Sequence, residues 1–308
     1  MRFWRGSTWR GRRGWRRRRT TEAGDATQTG DAKAGALELQ VAGDATLRRR
    51  GNAVGEVSGR VGGALSLRNA GGFAVRDLRA GAVRAEALAG GIVVRDVAAD
   101  GALEVVGETA SLTRASAGTL DARATVGALE AEDVAAAGAM ALSSAGNLSA
   151  ERASAGALTV EAGGAGSVMD AAYGTAELRS LGGALALAGL AGGDLGAASA
   201  AGLTAAGVTG GAVRLEAAGR IAAASVRAAS LSAEAGGALT AEAVEAATAG
   251  LTAGRDLTLS GGAFGTLEGE AGGDLRVGSV EAGTAALEAG GAMAVSDFEA
   301  DAAALVPA

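Results

Sequence analysis

The stretch AGRDLTLSGGAFGTLEGEAGGDLRV, residues 253–277, decides how the rest of the chain is read. Leu257 and Leu259 flank a polar Thr258, and Leu275 and Val277 flank Arg276, so apolar residues alternate with polar ones. That period of two predicts a strand, because successive side chains of a strand point to opposite faces. The phrase restarts at a constant interval, with Gly237, Arg255, Gly273 and Gly291 in equivalent places. A helix is the wrong reading. Leu-x-Leu cannot lie on one helical face, and each recurring glycine would cost about 1 kcal/mol relative to alanine. A unit of about 18 residues is too short for helical repeats or a propeller blade, and it suits one coil of a β-helix.

Working outward, the same phrase returns as Gly35-Ala-Leu37-Glu-Leu39, Gly63-Ala-Leu65-Ser-Leu67, Gly101-Ala-Leu103-Glu-Val105 and Gly156-Ala-Leu158-Thr-Val160. Glycines that open such phrases, among them Gly118, Gly127, Gly138 and Gly146, recur about twice per unit. The unit is therefore a coil of about 18 to 20 residues made of two similar halves, each a short strand followed by a glycine-containing turn. The fold class expected is all-β: an elongated, single-stranded parallel β-helix, or β-solenoid. Residues 35–308 form the solenoid domain, with about 14 coils. Residues 1–34 form a disordered basic tail and linker.

Composition supports a packed chain of small residues. There are 53 glycines and 81 alanines among 308 residues, yet 48% of the chain is hydrophobic and aromatic residues make up only 3%. The absence of cysteine and histidine excludes thiol nucleophiles, disulfides, Ser/His/Asp triads and histidine metal sites. Charge is split unevenly. Residues 1–20 hold nine arginines and no acid, which leaves a formal −15 on the remainder of a chain whose net charge is −6.

The tail MRFWRGSTWRGRRGWRRRR interleaves tryptophan with arginine. Two readings stay open. One is a disordered extension or the product of an upstream start; the other is an arm whose Arg12, Arg13, Arg16, Arg17, Arg18 and Arg19 contact nucleic acid or an anionic membrane surface. No apolar run follows these arginines, so no export signal is expected here, and none elsewhere reaches the length of a membrane span. A chain complete as given would accordingly be cytoplasmic.

The phrases AGRDLTLSGG at 253–262, AGGDLRV at 271–277, AGGDLGA at 191–197 and AGNLSA at 145–150 carry a likeness to a known family. They are similar to the Gly-Gly-Asp/Asn-Leu-x-Leu units of filamentous haemagglutinin-type adhesins, the two-partner-secretion exoproteins of Gram-negative bacteria. The resemblance implies a parallel β-helix shaft over residues 35–300, carried as part of a larger adhesin on the outer cell surface or outside the cell. It also implies a host or neighbouring-cell receptor or glycan as partner. The function expected is thus a non-catalytic structural and adhesive rod. Two alternatives stand beside it: an intracellular polymerising scaffold of the bactofilin kind, with end-to-end self-association, and a degenerate reading frame without selected function.

Candidate sites are few, and no catalytic residue, cofactor or metal is expected. Asp194, Asp256 and Asp274 follow turn glycines, and the last two are one coil apart. Stacked carboxylates bind calcium in some solenoids, but an Asp after a turn glycine more commonly accepts hydrogen bonds from turn N–H groups. Asn147 is read as a turn residue in the same way. Arg76-Asp77 and Arg95-Asp96 have the residue types of a pectin-cleaving groove, but both sit in equivalent V-R-D-V/L phrases, which marks repeat consensus.

Overall fold

The computed structural model describes residues 16–21 and 24–307, and the described residues form 22 strands and no helix. Every described strand pairing is parallel. The chain is a β-solenoid of about 16 turns, divided into two compact units, Met1–Gly156 and Ala157–Ala308.

The second unit shows the repeat most plainly. Leu203 pairs with Ile221, Ile221 with Leu239, Leu239 with Leu257, Leu257 with Leu275 and Leu275 with Met293, an unbroken ladder of constant step. In the first unit the step varies. It is longer from Leu37 to Val57 and from Phe73 to Ile92, and shorter from Leu103 to Leu120. Where the step changes between Ala53–Asn69 and Phe73–Ala87, the ladder takes it up in register shifts between Val57 and Gly59 and between Val61 and Ala64.

Within one coil the burial pattern resolves three faces where the sequence suggested two halves. In Leu239–Ala253 the buried residues are Leu239 and Ala241, then Val244 and Ala246, then Ala249, Leu251 and Ala253. Between these runs lie two exposed neighbours, Glu242–Ala243 and Ala247–Thr248. Two consecutive outward residues break the alternation of a strand, and there the chain turns a corner.

One corner has its own backbone conformation. Gly207, Ser225, Ala243, Gly261, Ser279 and Asp297 recur once per coil in the second unit, all with φ between 50° and 65°. The first unit repeats this with Asp77, Asp96, Arg114, Asp133 and Arg152 at 47° to 55°. A non-glycine residue in this left-handed region costs about 1–2 kcal/mol, and the hydrogen-bonded coils on either side hold it there.

The glycines that set the sequence period answer a different demand. At Gly254, Gly272 and Gly290 a Cβ would lie 2.5 or 2.6 Å from the carbonyl oxygen of the glycine one coil earlier. These turns stack too closely for any side chain, while the left-handed corner mostly accepts other residues.

Two of the buried rings enter the narrow core beside a glycine. The Phe264 ring fills the space at Gly262, where a Cβ would approach it to 2.8 Å. Tyr173 lies across Gly192 of the neighbouring coil, and a Cβ there would meet its ring at 2.5 Å. Buried polar side chains close turns: Ser180 Oγ donates to Gly164 O at 2.7 Å, and Ser199 Oγ bonds to Gly202 O at 2.9 Å.

The ladder begins before residue 35. Ala26–Thr27 pairs with Ala45–Leu47, and Arg16–Thr21 runs alongside Lys33–Val41. Part of the segment read as a linker therefore belongs to the solenoid. Amides do there what apolar alternation does elsewhere. Asn52, fully buried, donates to Leu47 O at 3.0 Å and Arg68 O at 2.9 Å, accepts from Ala32 N at 2.8 Å, and bonds to the Gln28 amide.

One substitution type should change sign between near neighbours. Ala243→Gly relieves the left-handed corner and is expected to raise stability by about 1 kcal/mol. Ala241→Gly removes a buried methyl from a strand and should lower it by about 1–2 kcal/mol. Urea denaturation midpoints measure both, and shifts in the same direction would contradict the corner assignment.

Candidate functional site

Recurring polar residues occupy the corners of the coil, and the geometry there shows what each one does. Asp256 precedes Leu257, the first inward residue of its coil, and its Oδ1 accepts the backbone N–H of Asp274 at 3.0 Å. Asp274 in turn accepts the N–H of Ala292 at 3.1 Å. Each carboxylate thus closes the turn of the next coil.

Asp194 stands elsewhere. Although AGGDL occurs at both 191–195 and 271–275, Leu195 pairs with Val213 and opens the third face, whereas Leu275 pairs with Leu257 and opens the first. Asp194 therefore caps a different corner, accepting the Ala212 N–H at 3.0 Å. Asp44 performs the same task in the first unit, bonding Ala64 N at 2.7 Å, and itself donates its N–H to Asp25. Asp25 and Asp44 escaped the sequence reading because their partners lie about one coil away, where no local motif points. Asn147 sits at a turn where its carbonyl accepts from Leu129 N at 3.0 Å and from Ser144 Oγ at 3.0 Å.

The two Arg-Asp phrases take their meaning from the left-handed corner. Asp77 and Asp96 are both corner residues. Asp96 receives two hydrogen bonds from Arg114, the corner residue of the following coil, at 2.5 and 2.8 Å. This contact, and less so its charge, holds the Asp96 carboxyl below the usual carboxylate range. Asp133 is lowered in the same way by Arg152, which also meets Glu132 and Glu151. Arg76 pairs with Glu56 at 3.8 Å. Arg76 of the first phrase and Asp96 of the second thus find their ion-pair partners in other coils, while Asp77 and Asp96 face one shared concavity.

Two concavities open along this corner. The one in the first unit is lined by Gln40, Arg60, Asp77, Arg79 and Asp96; the one in the second is acidic, with Glu245, Glu281, Asp297 and Glu299. Among the described residues no three acidic side chains come together as a metal ion would require. Arg12 and Arg13 lie outside the described residues. Arg16 to Arg19 form most of the strand Arg16–Thr21, in register with Ala36 to Leu39.

Tyr173 is buried and its hydroxyl has no hydrogen-bond partner. Burial raises its pKa. A lone phenol inside a core of small aliphatic residues has no proton acceptor within reach, and its ring acts as filler over Gly192.

Compared with protein-family profiles, curated proteins and solved structures, the chain gives no match. Its likeness to haemagglutinin-type shafts rests on the repeat phrases quoted above.

Two experiments test these assignments. Asp274→Ala should cost about 0.5–1.5 kcal/mol by stranding the Ala292 N–H, while Asp274→Asn keeps an acceptor oxygen and should be nearly neutral; equal losses in thermal denaturation would favour a role that needs the charge. Tyr173→Phe should raise stability by about 1 kcal/mol at neutral pH by removing an unpaired hydroxyl. Because the folded pKa is raised, the neutral phenol's contribution is complete below the unfolded value of about 10 and declines as pH rises above it. The wild type should lose stability in that range and Tyr173→Phe should lack this part of the loss.

Proposed function

We propose that the chain is a non-catalytic structural segment of a bacterial surface or secreted exoprotein, serving as an adhesive shaft of the haemagglutinin kind. The observation that carries this reading is the use made of the recurring polar residues. Asp256, Asp194, Ser180 and Ser199 spend their hydrogen bonds on closing the next turn or their own, and Asp274 does the same with Oδ1 while its Oδ2 accepts from Arg276. A solenoid that commits its recurring chemistry to coil closure leaves the outward strand positions free to vary from coil to coil. Such a surface suits repeated, shallow contact with a receptor or glycan on another cell, without a single convergent site.

Among the described residues no helix is long and apolar enough to cross a membrane. Antibody labelling of intact cells, paired with fractionation, tests the proposal. Labelling without permeabilisation is the expected result, and finding the chain only in the cytoplasm would sink it.

A further inference from the structure

The concavity of the first unit opens where the ladder shifts register. Val57 pairs with Val75, but Gly59 pairs with Leu78, so Ser58 alone faces two residues of the next coil, Arg76 and Asp77. An irregularity of this kind re-aims the side chains beside it. Gly59 takes the inward place that Leu39 and Leu78 hold in the adjoining coils, and a Cβ on it would run into the Leu39 carbonyl oxygen. The core is therefore short of one side chain here. Gly59 lines the concavity with Gln40, Arg60, Asp77, Arg79 and Asp96 around a volume of about 460 Å³, a size that suits a small ligand. Every coil that contributes to it is hydrogen-bonded on both sides.

The charges facing this space are not matched to one another. Elsewhere in the unit Arg68, Arg76, Arg84 and Arg114 meet Glu86, Glu56, Glu104 and Asp96. Arg60 and Arg79, in-register neighbours in one outward column, have no ion-pair partner among the described residues, and neither has Asp77. Asp96 is taken up by Arg114. Two free cations and one free anion thus share a concavity without pairing with each other. Adjacent guanidiniums repel, and a carboxylate set between them relieves this through charge-assisted hydrogen bonds. Asp77 requires the opposite charge. A polyphosphate or a sulfated chain would press several negative charges on Asp77 and Asp96, and a simple anion would leave Asp77 unused. We infer that this concavity binds a small zwitterion of the amino-acid class, its carboxylate held by Arg60 and Arg79 and its ammonium by Asp77. The regular coils offer no convergent site of this kind, and the register shift creates one. This inference does not rest on the adhesive-shaft reading, and the failure of either leaves the other standing.

NMR titration of the full chain at low salt with glycine, β-alanine and γ-aminobutyrate provides the test, with acetate and ethylammonium as half-ligands. The three zwitterions differ in the spacing of their charges, and the best of them should bind at least about tenfold tighter than either half-ligand. Arg60→Gln and Arg79→Gln should each weaken that binding about tenfold. Asp77→Asn, which the left-handed corner accommodates, should weaken the zwitterion by a similar factor without weakening acetate. Arg123→Gln, at an exposed arginine outside the concavity, should change nothing. Zwitterions that bind no tighter than acetate overturn the inference, as does the absence of binding by all three. A loss with Arg123→Gln as large as that with Arg79→Gln also overturns it, because it means diffuse attraction of anions to the surface.

Discussion

The in-register parallel ladder is the constraint to which every other feature answers. When Leu239, Leu257 and Leu275 stack on one another, their neighbours Thr240, Thr258 and Arg276 stack as well, and so does every residue around the coil. A position is then no longer a local choice, because each side chain must fit the same position one coil above and below. Where the backbones come closest, at Gly254, Gly272 and Gly290, only a hydrogen atom fits. Where a ring enters, as with Tyr173, the coil beside it has Gly192. The abundance of alanine follows from the same geometry. Three short faces enclose little volume, and small inward residues fill it without forcing the ladder apart.

Much of this was legible in the sequence. The period of two in Leu257-Thr-Leu259 and the return of the phrase at Leu275 correctly indicate strands, parallel stacking and the length of a coil. The number of faces was not legible. Between Ala241 and Val244 a corner interrupts the alternation by one extra outward residue, and nothing in Glu242-Ala243 distinguishes that corner from an ordinary pair of exposed residues. Nor does the left-handed position announce itself chemically, for Asp, Arg, Ser, Ala and Gly all occupy it. Its conformation is imposed by the stack and not by the residue.

The candidate site was harder to read for a related reason. AGGDL at 191–195 and at 271–275 are identical words placed at different corners. Meaning comes from position around the coil, which short motifs do not encode. Outward columns follow looser rules. Arg114 meets Asp96 across adjacent coils, but Glu216 stacks on Glu234 and Glu270 on Glu288. Exposed contacts of either sign change stability little, so the outer surface is free to drift while the inner one is held.

The constant step of the ladder between Leu203 and Met293 has a consequence for ancestry. A tandem duplication of any run of codons equal in length to that step inserts one whole turn, matched at both seams, wherever the run begins. Loss of such a run is equally well tolerated. Lineages can therefore lengthen or shorten this part of the gene without passing through an unfolded intermediate.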